Sequence, residues 1–215
     1  MDEINIGRDL ARIFTVFVWN IKGFIDTGGN IYPIPEIPQV ITGLFQEITK
    51  TRVKEFIRQN YRCQEIQGGA REYPEITLFD GLLGSRKIAI DMKTSRRVGP
   101  NRISGFTLGS YAGYFAHPDR KMAGCVLPYG EYTEHWVVGF IYDWMPGKPS
   151  EELVSNVEVI VQEKWRMAAR HTGTGTTNAI GSVREIDRLK VGSGDFSSEA
   201  EFEEYWRSRY RERNP

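Results

Sequence analysis

Two consecutive strand-like segments organise this chain. The first is Tyr73-Pro74-Glu75-Ile76-Thr77-Leu78-Phe79 and the second is Lys87-Ile88-Ala89-Ile90-Asp91-Met92-Lys93-Thr94. Residues two positions apart in a strand project from the same face, so Asp91 and Lys93 are expected to project together. If the two strands pair as a hairpin, Glu75 is expected to lie beside Asp91 and Lys93.

Two carboxylates and an ammonium at one point suit a divalent cation and a phosphate. Mg²⁺ prefers oxygen ligands and keeps several waters, so Glu75 and Asp91 together with a phosphate oxygen suffice to hold it. Two close carboxylates repel each other without a cation, which favours cation binding. Lys93 is suited to stabilising the negative charge that develops when a phosphodiester is hydrolysed. The pattern therefore predicts a nuclease, and an Asp–Lys ion pair at a strand end is the structural alternative.

Composition argues against some classes of function. The chain has 28 Lys or Arg residues and 28 Asp or Glu residues, and a net charge of zero argues against coating nucleic acid through bulk charge. Basic residues are nevertheless concentrated between Arg86 and Arg102, around the predicted site. Cys63 and Cys125 lack metal-ligand spacing and are expected to be reduced thiols of an intracellular protein. Apolar runs are short, so we expect a cytoplasmic protein without a membrane span.

The N-terminal part predicts a helix followed by a hairpin. Apolar residues recur at helical spacing over residues 9–24, and Asp9 is a suitable N-cap. The turn at residues 26–30 separates two short strands that can pair. Apolar residues of this hairpin, such as Ile25 and Tyr32, either pack on the core or contact a second subunit.

A second helix is predicted from about Pro38 to Asn60, because Pro38 suits a first turn and apolar residues follow at helical spacing. At about 100° per residue, Glu47 lies at the edge of the apolar face and Gln46 on the far side. A carboxylate at a buried edge is costly unless it is paired or binds a cation, which makes Glu47 a further catalytic candidate. A solvated Glu47 that only borders the apolar face is the alternative.

The rest of the chain predicts further strands and a final helix. Strands are expected at residues 122–127, at 135–142 and around Val157, Val159 and Val161, and a helix is expected to end at Phe115. A capping box begins at Ser198 and opens a helix with Phe202, Tyr205 and Trp206 on its core face.

The loop at residues 172–178 contains no apolar residue. It lacks the Gly-Lys-Ser/Thr of a phosphate-binding loop and the full dinucleotide-binding motif. Its Thr and Asn side chains offer donors and acceptors that can recognise base edges. A surface loop without a binding role is the other interpretation.

Several blocks of sequence, in order along nearly the whole chain, resemble type II restriction endonucleases of the EcoRV kind, within the PD-(D/E)xK nuclease superfamily. The blocks are Gly29-Asn30-Ile31-Tyr32-Pro33, the two opening segments, Phe106-Thr107-Leu108-Gly109-Ser110-Tyr111, His135-Trp136-Val137-Val138-Gly139, Gln162-Glu163-Lys164-Trp165, Gly173-Thr174-Gly175-Thr176-Thr177-Asn178 and Phe202-Glu203-Glu204-Tyr205-Trp206-Arg207. Several matching blocks in one order are far more specific than the short acid–lysine motif.

The resemblance implies an α/β fold with a restriction-endonuclease-like core, in which helices flank a mixed central β-sheet. It implies one domain over residues 1–215, with a dimerisation segment around residues 20–36. It also implies a homodimer in a prokaryotic restriction–modification system that cuts double-stranded DNA within a short palindrome and leaves blunt ends. Mg²⁺ is the implied cofactor, for which Mn²⁺ can substitute.

Residue roles carry over by position. The resemblance makes Glu75 and Asp91 the metal ligands and Lys93 the catalytic lysine. It places the residues at the following positions against DNA: Arg71, Thr94, Thr107, Arg120, Gly173, Thr174, Gly175, Thr176, Thr177 and Asn178. Gly173 to Asn178 correspond to a recognition loop in the major groove, and Arg71 ends a turn at the minor groove.

Three departures from the family pattern leave alternatives open. The first acid is Glu75 where the family pattern has Asp, so metal geometry is expected to differ. The helical acid of the family aligns with Gln46, whereas the helical-face argument favours Glu47. The recognition loop also differs, so a different palindrome is expected. A DNA-binding protein without catalysis and a repair-type nickase are the alternative functions.

Overall fold

The computed structural model describes residues 4–69, 71–173 and 178–214, and the elements follow one another in a simple order. They are α1 (Ile6–Ile13), β1 (Phe24–Ile25), β2 (Ile31–Tyr32), α2 (Pro38–Asn60), β3 (Gln64–Gln67), β4 (Ile76–Phe79), β5 (Ile88–Gly99), β6 (Arg102–Ile103), β7 (Thr107–Ser110), β8 (Glu134–Trp144), β9 (Val154–Glu163), α3 (Lys164–Met167), β10 (Ala168–Thr172), β11 (Ala179–Ser182), α4 (Ile186–Val191) and α5 (Glu199–Arg213). Short 3₁₀ turns occur at Gly81–Leu83 and Tyr129–Glu131.

A central sheet in the order β3-β4-β5-β8-β9 organises the fold, and β6 pairs with the far end of β5. The β5–β8 pair is parallel, whereas β3–β4, β4–β5 and β8–β9 are antiparallel. A smaller sheet in the order β10-β11-β7 lies beside it. The expected α/β fold, with a mixed central sheet flanked by helices, is confirmed.

Each face of the central sheet covers its own hydrophobic core. On β5, Ile88, Ile90 and Met92 belong to the core formed with α1 and α2, whereas Ala89 belongs to the core formed with β7, β11 and α5. This alternation follows from the two-residue period of a strand, and it explains why β5 is buried on both faces. Asp91 and Lys93 share the parity of Ala89 and therefore project to its side.

Most predicted elements form as expected. The two opening segments pair as antiparallel strands with Ile76 opposite Ile90. Helix α2 has the predicted bounds, and β8 and β9 cover the predicted strands. Ser198 Oγ accepts a hydrogen bond from Glu201 N at the start of α5, as predicted, while the Glu201 carboxylate accepts from Ser197 N, one residue before the amide of an ideal capping box.

Helix α1 differs from its prediction at both ends. Its N-cap is Asn5, whose side chain accepts from Arg8 N, and Asp9 instead lies buried inside the helix and accepts a 2.5 Å hydrogen bond from Tyr61. The helix ends at Ile13 rather than near residue 24. The β-branched residues after Phe14 have low helix propensity, and Phe14 packs edge-on against Phe140 in an irregular segment.

Two other predicted elements are wrong. Residues 111–115 form turns rather than a helix, because Gly113 adopts a positive φ of 58° that interrupts helical geometry. Residues 122–127 form no strand beyond a single bridge between Tyr73 and Cys125. There Gly124 has a φ of 80°, which is incompatible with an extended chain.

The β1–β2 hairpin forms as predicted, with Ile25 opposite Ile31. The exposed fractions of Ile25 and Tyr32 are 71% and 54%, so the interpretation that they pack on the core is wrong. In the described part of the chain, no helix is both long and apolar enough to cross a bilayer.

Candidate active site

Glu75 reaches the open end of a strand pair. Strand β4 begins at Ile76, opposite Ile90, so β5 extends beyond the end of its partner. Met92 N then donates a 2.8 Å hydrogen bond to Glu75 Oε2 instead of to a strand carbonyl. The sheet backbone therefore holds the Glu75 carboxylate beside β5.

Asp91 and Lys93 meet on one face of β5, as the period of a strand requires. Lys93 Nζ lies 2.7 Å from Asp91 Oδ2 and donates a 3.2 Å hydrogen bond to Met92 O. The Asp91 side chain is buried, and the ion-pair contact at Oδ2 lacks the angles of a hydrogen bond, so this oxygen accepts none within the described residues. This buried oxygen therefore has unused acceptor capacity, which a cation could take up.

Helix α2 supplies Gln46, not Glu47. Gln46 Nε2 donates a 2.6 Å hydrogen bond to Glu75 Oε1. The Glu47 side chain is 73% exposed and forms an ion pair with Lys50 at 3.3 Å. The expectation that Glu47 is the acid nearer the core is wrong, because the packing of α2 turns the preceding residue, Gln46, toward Glu75 and β5. The alternative of a solvated Glu47 holds.

The ionisation of the site follows from burial and from the closeness of its charges. Burial and the nearby Asp91 charge raise the pKa of Glu75 above its ordinary value, against the opposing effect of Lys93. Burial alone disfavours the charged form of Lys93, but Asp91 and Glu75 outweigh it and raise the pKa of Lys93. Lys93 is therefore an ammonium at neutral pH, suited to electrostatic stabilisation rather than to accepting a proton.

The donor set fits a hard divalent cation. Glu75 and Asp91 offer carboxylate oxygens, one of which, Asp91 Oδ2, is buried without a hydrogen bond in the described chain. The raised pKa of Glu75 shows that its negative charge is under-compensated here, and a cation would relieve this. Oxygen donors of this kind are the ligands that Mg²⁺ and Mn²⁺ accept.

The site opens into a cleft of about 600 Å³. Residues that line it include Thr42, Gln46, Glu75, Lys93, Thr94, Arg96, Gly105 and Thr107. Thr42 Oγ1 and Thr94 Oγ1 are 2.8 Å apart, which links the first turns of α2 to β5. The sequence interpretation missed Thr42, although its position one turn before Gln46 on α2 was a signal that could have identified it.

Comparison with known proteins places this geometry in a family. The family model for the restriction endonuclease EcoRV matches residues 16–214. The chain belongs to the EcoRV restriction endonuclease family. It is 28% identical over 204 residues to the type II restriction enzyme EcoRV of Escherichia coli, an alignment that covers 88% of this chain and 82% of the relative. The resemblance inferred from the sequence is thus confirmed, and membership supports DNA cleavage as the chemistry of the cleft.

The EcoRV-family fold brings only some of the predicted DNA-binding residues to the cleft. Thr94 and Thr107 line it. A Cβ on Gly173 would lie 3.2 Å from Thr107 Oγ1, so the first residue of the predicted recognition loop lies beside the cleft wall. Asn178 accepts a 2.9 Å hydrogen bond from Tyr111 N through its carbonyl at the other end of the loop. Thr174, Gly175, Thr176 and Thr177 lie outside the described residues.

Two predicted contacts of the EcoRV-family pattern lie away from the catalytic groups. Arg71 and Arg120 are both exposed, and neither lines the cleft. Arg120 belongs to a turn in which its amide donates to His117 O. The structure therefore does not bring these two residues together with Glu75, Asp91 and Lys93.

A second group of potential metal ligands in this EcoRV-family chain went unnoticed in the sequence. His135, Glu199 and Glu203 offer ligand atoms that all lie within 4.8 Å of one another. Arg207 forms a 2.8 Å ion pair with Glu203, and the buried Lys164 also acts electrostatically on this group. Arg207 pairs with Glu203, but burial and neighbouring carboxylates raise the pKa of Glu199 to about 7. Glu75 and Asp91 remain the better catalytic metal site because Glu75, unlike the members of this second group, lines the open cleft beside Lys93. The spacing of four residues between Glu199 and Glu203 was the signal in the sequence.

Proposed function

We propose that this protein is a type II restriction endonuclease that hydrolyses phosphodiester bonds of double-stranded DNA within a short palindrome. The observation that supports this most directly is one juxtaposition. Asp91 and Lys93 project from the same face of β5, and Glu75 is held beside them by Met92 N at the mouth of an open cleft. The alternative of a structural ion pair does not explain why a half-buried Glu75 lies beside a second acid.

Each catalytic group has a distinct task. Glu75 and Asp91 would hold Mg²⁺ or Mn²⁺, which acidifies a bound water and stabilises negative charge on a phosphate. Lys93, as an ammonium, stabilises the extra negative charge that the phosphate gains in the transition state. Gln46 orients the Glu75 carboxylate through its amide.

DNA contacts are proposed to surround these groups. Thr94 and Thr107 lie on the cleft wall, where hydroxyls can donate to phosphate oxygens and set register. Residues 173–178 are proposed to recognise base edges in the major groove. Arg71 and Arg120 are proposed to contact the duplex outside the cleft.

A homodimer is proposed to cut both strands and to leave blunt ends. The β1–β2 hairpin exposes four large apolar side chains, Phe24, Ile25, Ile31 and Tyr32, with exposed fractions between 45% and 71%. An exposed apolar cluster on one hairpin suits an isologous interface around a two-fold axis. A two-fold dimer also matches the symmetry of a palindromic site.

Digestion of plasmid and genomic DNA with Mg²⁺ tests the proposal. We expect discrete fragments from the wild-type protein and none from Asp91→Ala or Lys93→Ala, while both variants still retard duplex DNA in a gel. Sequencing of fragment ends identifies the palindrome and the cut position. Specific retardation without cleavage would support a non-catalytic DNA-binding protein, nicked circles alone would support a nickase, and a smear would exclude site-specific cleavage.

A further inference from the structure

A second, basic cavity of about 400 Å³ lies on the chain next to the catalytic cleft. Its lining includes three arginines, Arg102, Arg184 and Arg188, together with His171. Arg102 lies on β6, His171 near the end of β10, Arg184 in the segment that joins β11 to α4, and Arg188 in α4. Nothing in the catalytic proposal above uses them.

The acids of this cavity are already engaged by two of its arginines. Arg102 forms an ion pair with Glu185 at 3.1 Å, and Arg188 forms one with Asp195 at 2.9 Å. Glu185 also approaches Arg188, at 3.9 Å. Each acid therefore has at least one arginine, and neither forms an ion pair with Arg184.

Arg184 is the cation without an anion in this group. Among the described residues its guanidinium forms no ion pair, and its Nε is buried without a hydrogen-bond partner. Leaving a part-buried guanidinium unpaired is costly, and the cost is relieved when an anion binds. A phosphate is the natural complement, because its oxygens match the planar fork of guanidinium donors.

The position of Arg184 connects this cavity to the catalytic cleft. Its carbonyl accepts a 3.0 Å hydrogen bond from Ile103 N on β6. Arg184 Nε lies 3.4 Å from the position that a Cβ would occupy on Gly105, and Gly105 lines the catalytic cleft. On the other side, His171 leads along the chain to the recognition loop at residues 173–178. Arg184 thus lies between the two places where DNA is proposed to bind.

We propose that Arg184, flanked by Arg102 and Arg188, binds a backbone phosphate of the DNA duplex other than the one that is cleaved. This inference rests on the proposed function, since it assumes that duplex DNA occupies the neighbouring cleft. Arg184 adds affinity and sets the register of the duplex, and it takes no part in hydrolysis. A phosphate contact of this kind is independent of base sequence and sensitive to salt.

The test compares Arg184→Met with Arg58→Met, a control at an exposed arginine on α2 without an ion pair among the described residues. Both are made in the Asp91→Ala background, so that the duplex stays intact during titrations over a range of salt concentrations. We expect Arg184→Met to weaken binding and to reduce the slope of log K against log salt by about one unit, as loss of one phosphate contact predicts. Arg58→Met should match its parent.

Two further measurements separate phosphate binding from a structural role. Duplexes in which one phosphate is replaced by a neutral methylphosphonate should locate the contact. At one position per half-site, the replacement should weaken binding by the parent protein but should not weaken binding by Arg184→Met any further. Arg184→Lys should recover most of the salt slope because it keeps the charge. If Arg184 were purely structural, Arg184→Met and Arg184→Lys would both have a lower melting temperature. The methylphosphonate positions that weaken binding would then be the same for the parent and for Arg184→Met.

The outcomes also separate this inference from the proposed function. If the parent protein binds duplex DNA and Arg184→Met keeps its full salt slope, the phosphate contact is excluded while the endonuclease proposal stands. If the protein with its native Arg184 neither binds nor cuts duplex DNA, both proposals fail together.

Discussion

Gln46 Nε2 donates a 2.6 Å hydrogen bond to Glu75 Oε1, and this contact joins the long helix α2 to the acid that precedes β4. The opposite oxygen of Glu75 accepts from Met92 N of β5. One carboxylate is therefore held from two sides, by a helix side chain and by a strand amide. A neutral amide at this position orients Glu75 without adding a further negative charge to a site that already contains two acids.

Removal of the Gln46 amide should slow cleavage. A hydrogen bond to a charged group contributes about 2 kcal/mol, so we expect Gln46→Ala to reduce the single-turnover rate about 30-fold. Glu47→Ala is the matched control on the next residue, and it should stay within about twofold because it loses only a surface ion pair. A large loss in Glu47→Ala with full activity in Gln46→Ala would return the helical role to Glu47.

Shortening Glu75 should weaken metal binding more than folding. Glu75→Asp keeps the charge but cannot reach both Gln46 Nε2 and Met92 N, so the carboxylate loses its orientation. We expect the Mg²⁺ concentration at half-maximal cleavage rate to rise about tenfold, as loss of orienting partners does at other metal sites. Glu47→Asp serves as the control. An unchanged Mg²⁺ dependence in Glu75→Asp would mean that the longer side chain has no part in metal geometry.

Charged residues in the exposed hairpin should prevent dimer formation. We expect Ile25→Asp to raise the dissociation constant of the dimer at least tenfold, because an unpaired carboxylate would be buried in the interface. Sedimentation velocity over a range of protein concentrations measures this. Leu82→Asp is the control, since Leu82 is 51% exposed on a different part of the chain. Equal dissociation constants for wild type and Ile25→Asp would place the interface elsewhere.

The buried Lys164 should make stability depend on pH in the alkaline range. Its Nζ lies 4.3 Å from the centre of the Tyr73 ring and has no hydrogen-bond partner in the described chain. Burial lowers the pKa of Lys164 to about 8, from an ordinary value of 10.5. The charged groups Asp91, Lys93 and Glu203 and the thiol Cys125 also act on it.

Because the folded state releases the Lys164 proton at a lower pH than the unfolded state, the unfolded state binds more protons between about pH 8 and 10.5. The contribution of Lys164 to stability is therefore most unfavourable below pH 8 and improves as pH rises through this window. Relative to Lys164→Met, wild type should gain on the order of 3 kcal/mol in unfolding free energy across it.

Urea unfolding of both proteins with EDTA present, at steps from pH 7 to pH 10.5, measures this difference. Lys148→Met, at an exposed lysine, provides the control and should show no such trend. A constant difference between wild type and Lys164→Met would show that the ammonium is solvated rather than buried.

Local pattern was enough to predict the parts of this protein that depend on neighbours in sequence. The two-residue period of a strand brought Asp91 and Lys93 to one face, and the start of β4 at Ile76 brought Glu75 to them. The bounds of α2 followed from Pro38 and from the spacing of apolar residues. Resemblance then supplied the family, which the ordered blocks specified far better than three catalytic residues could.

Tertiary structure decided what local pattern left open. Neighbouring residues on a helix point about 100° apart, so only the packing of α2 on β5 selects Gln46 over Glu47. Helix α1 stops at Ile13 because Phe14, which follows it, has a non-helical conformation in which its ring packs against Phe140 in the core. In the basic cavity, Arg102 lies beside Arg184 and Arg188, from which it is far apart in sequence. No local period relates such residues, since only the pairing of β6 with the chain after β11 brings their charges together.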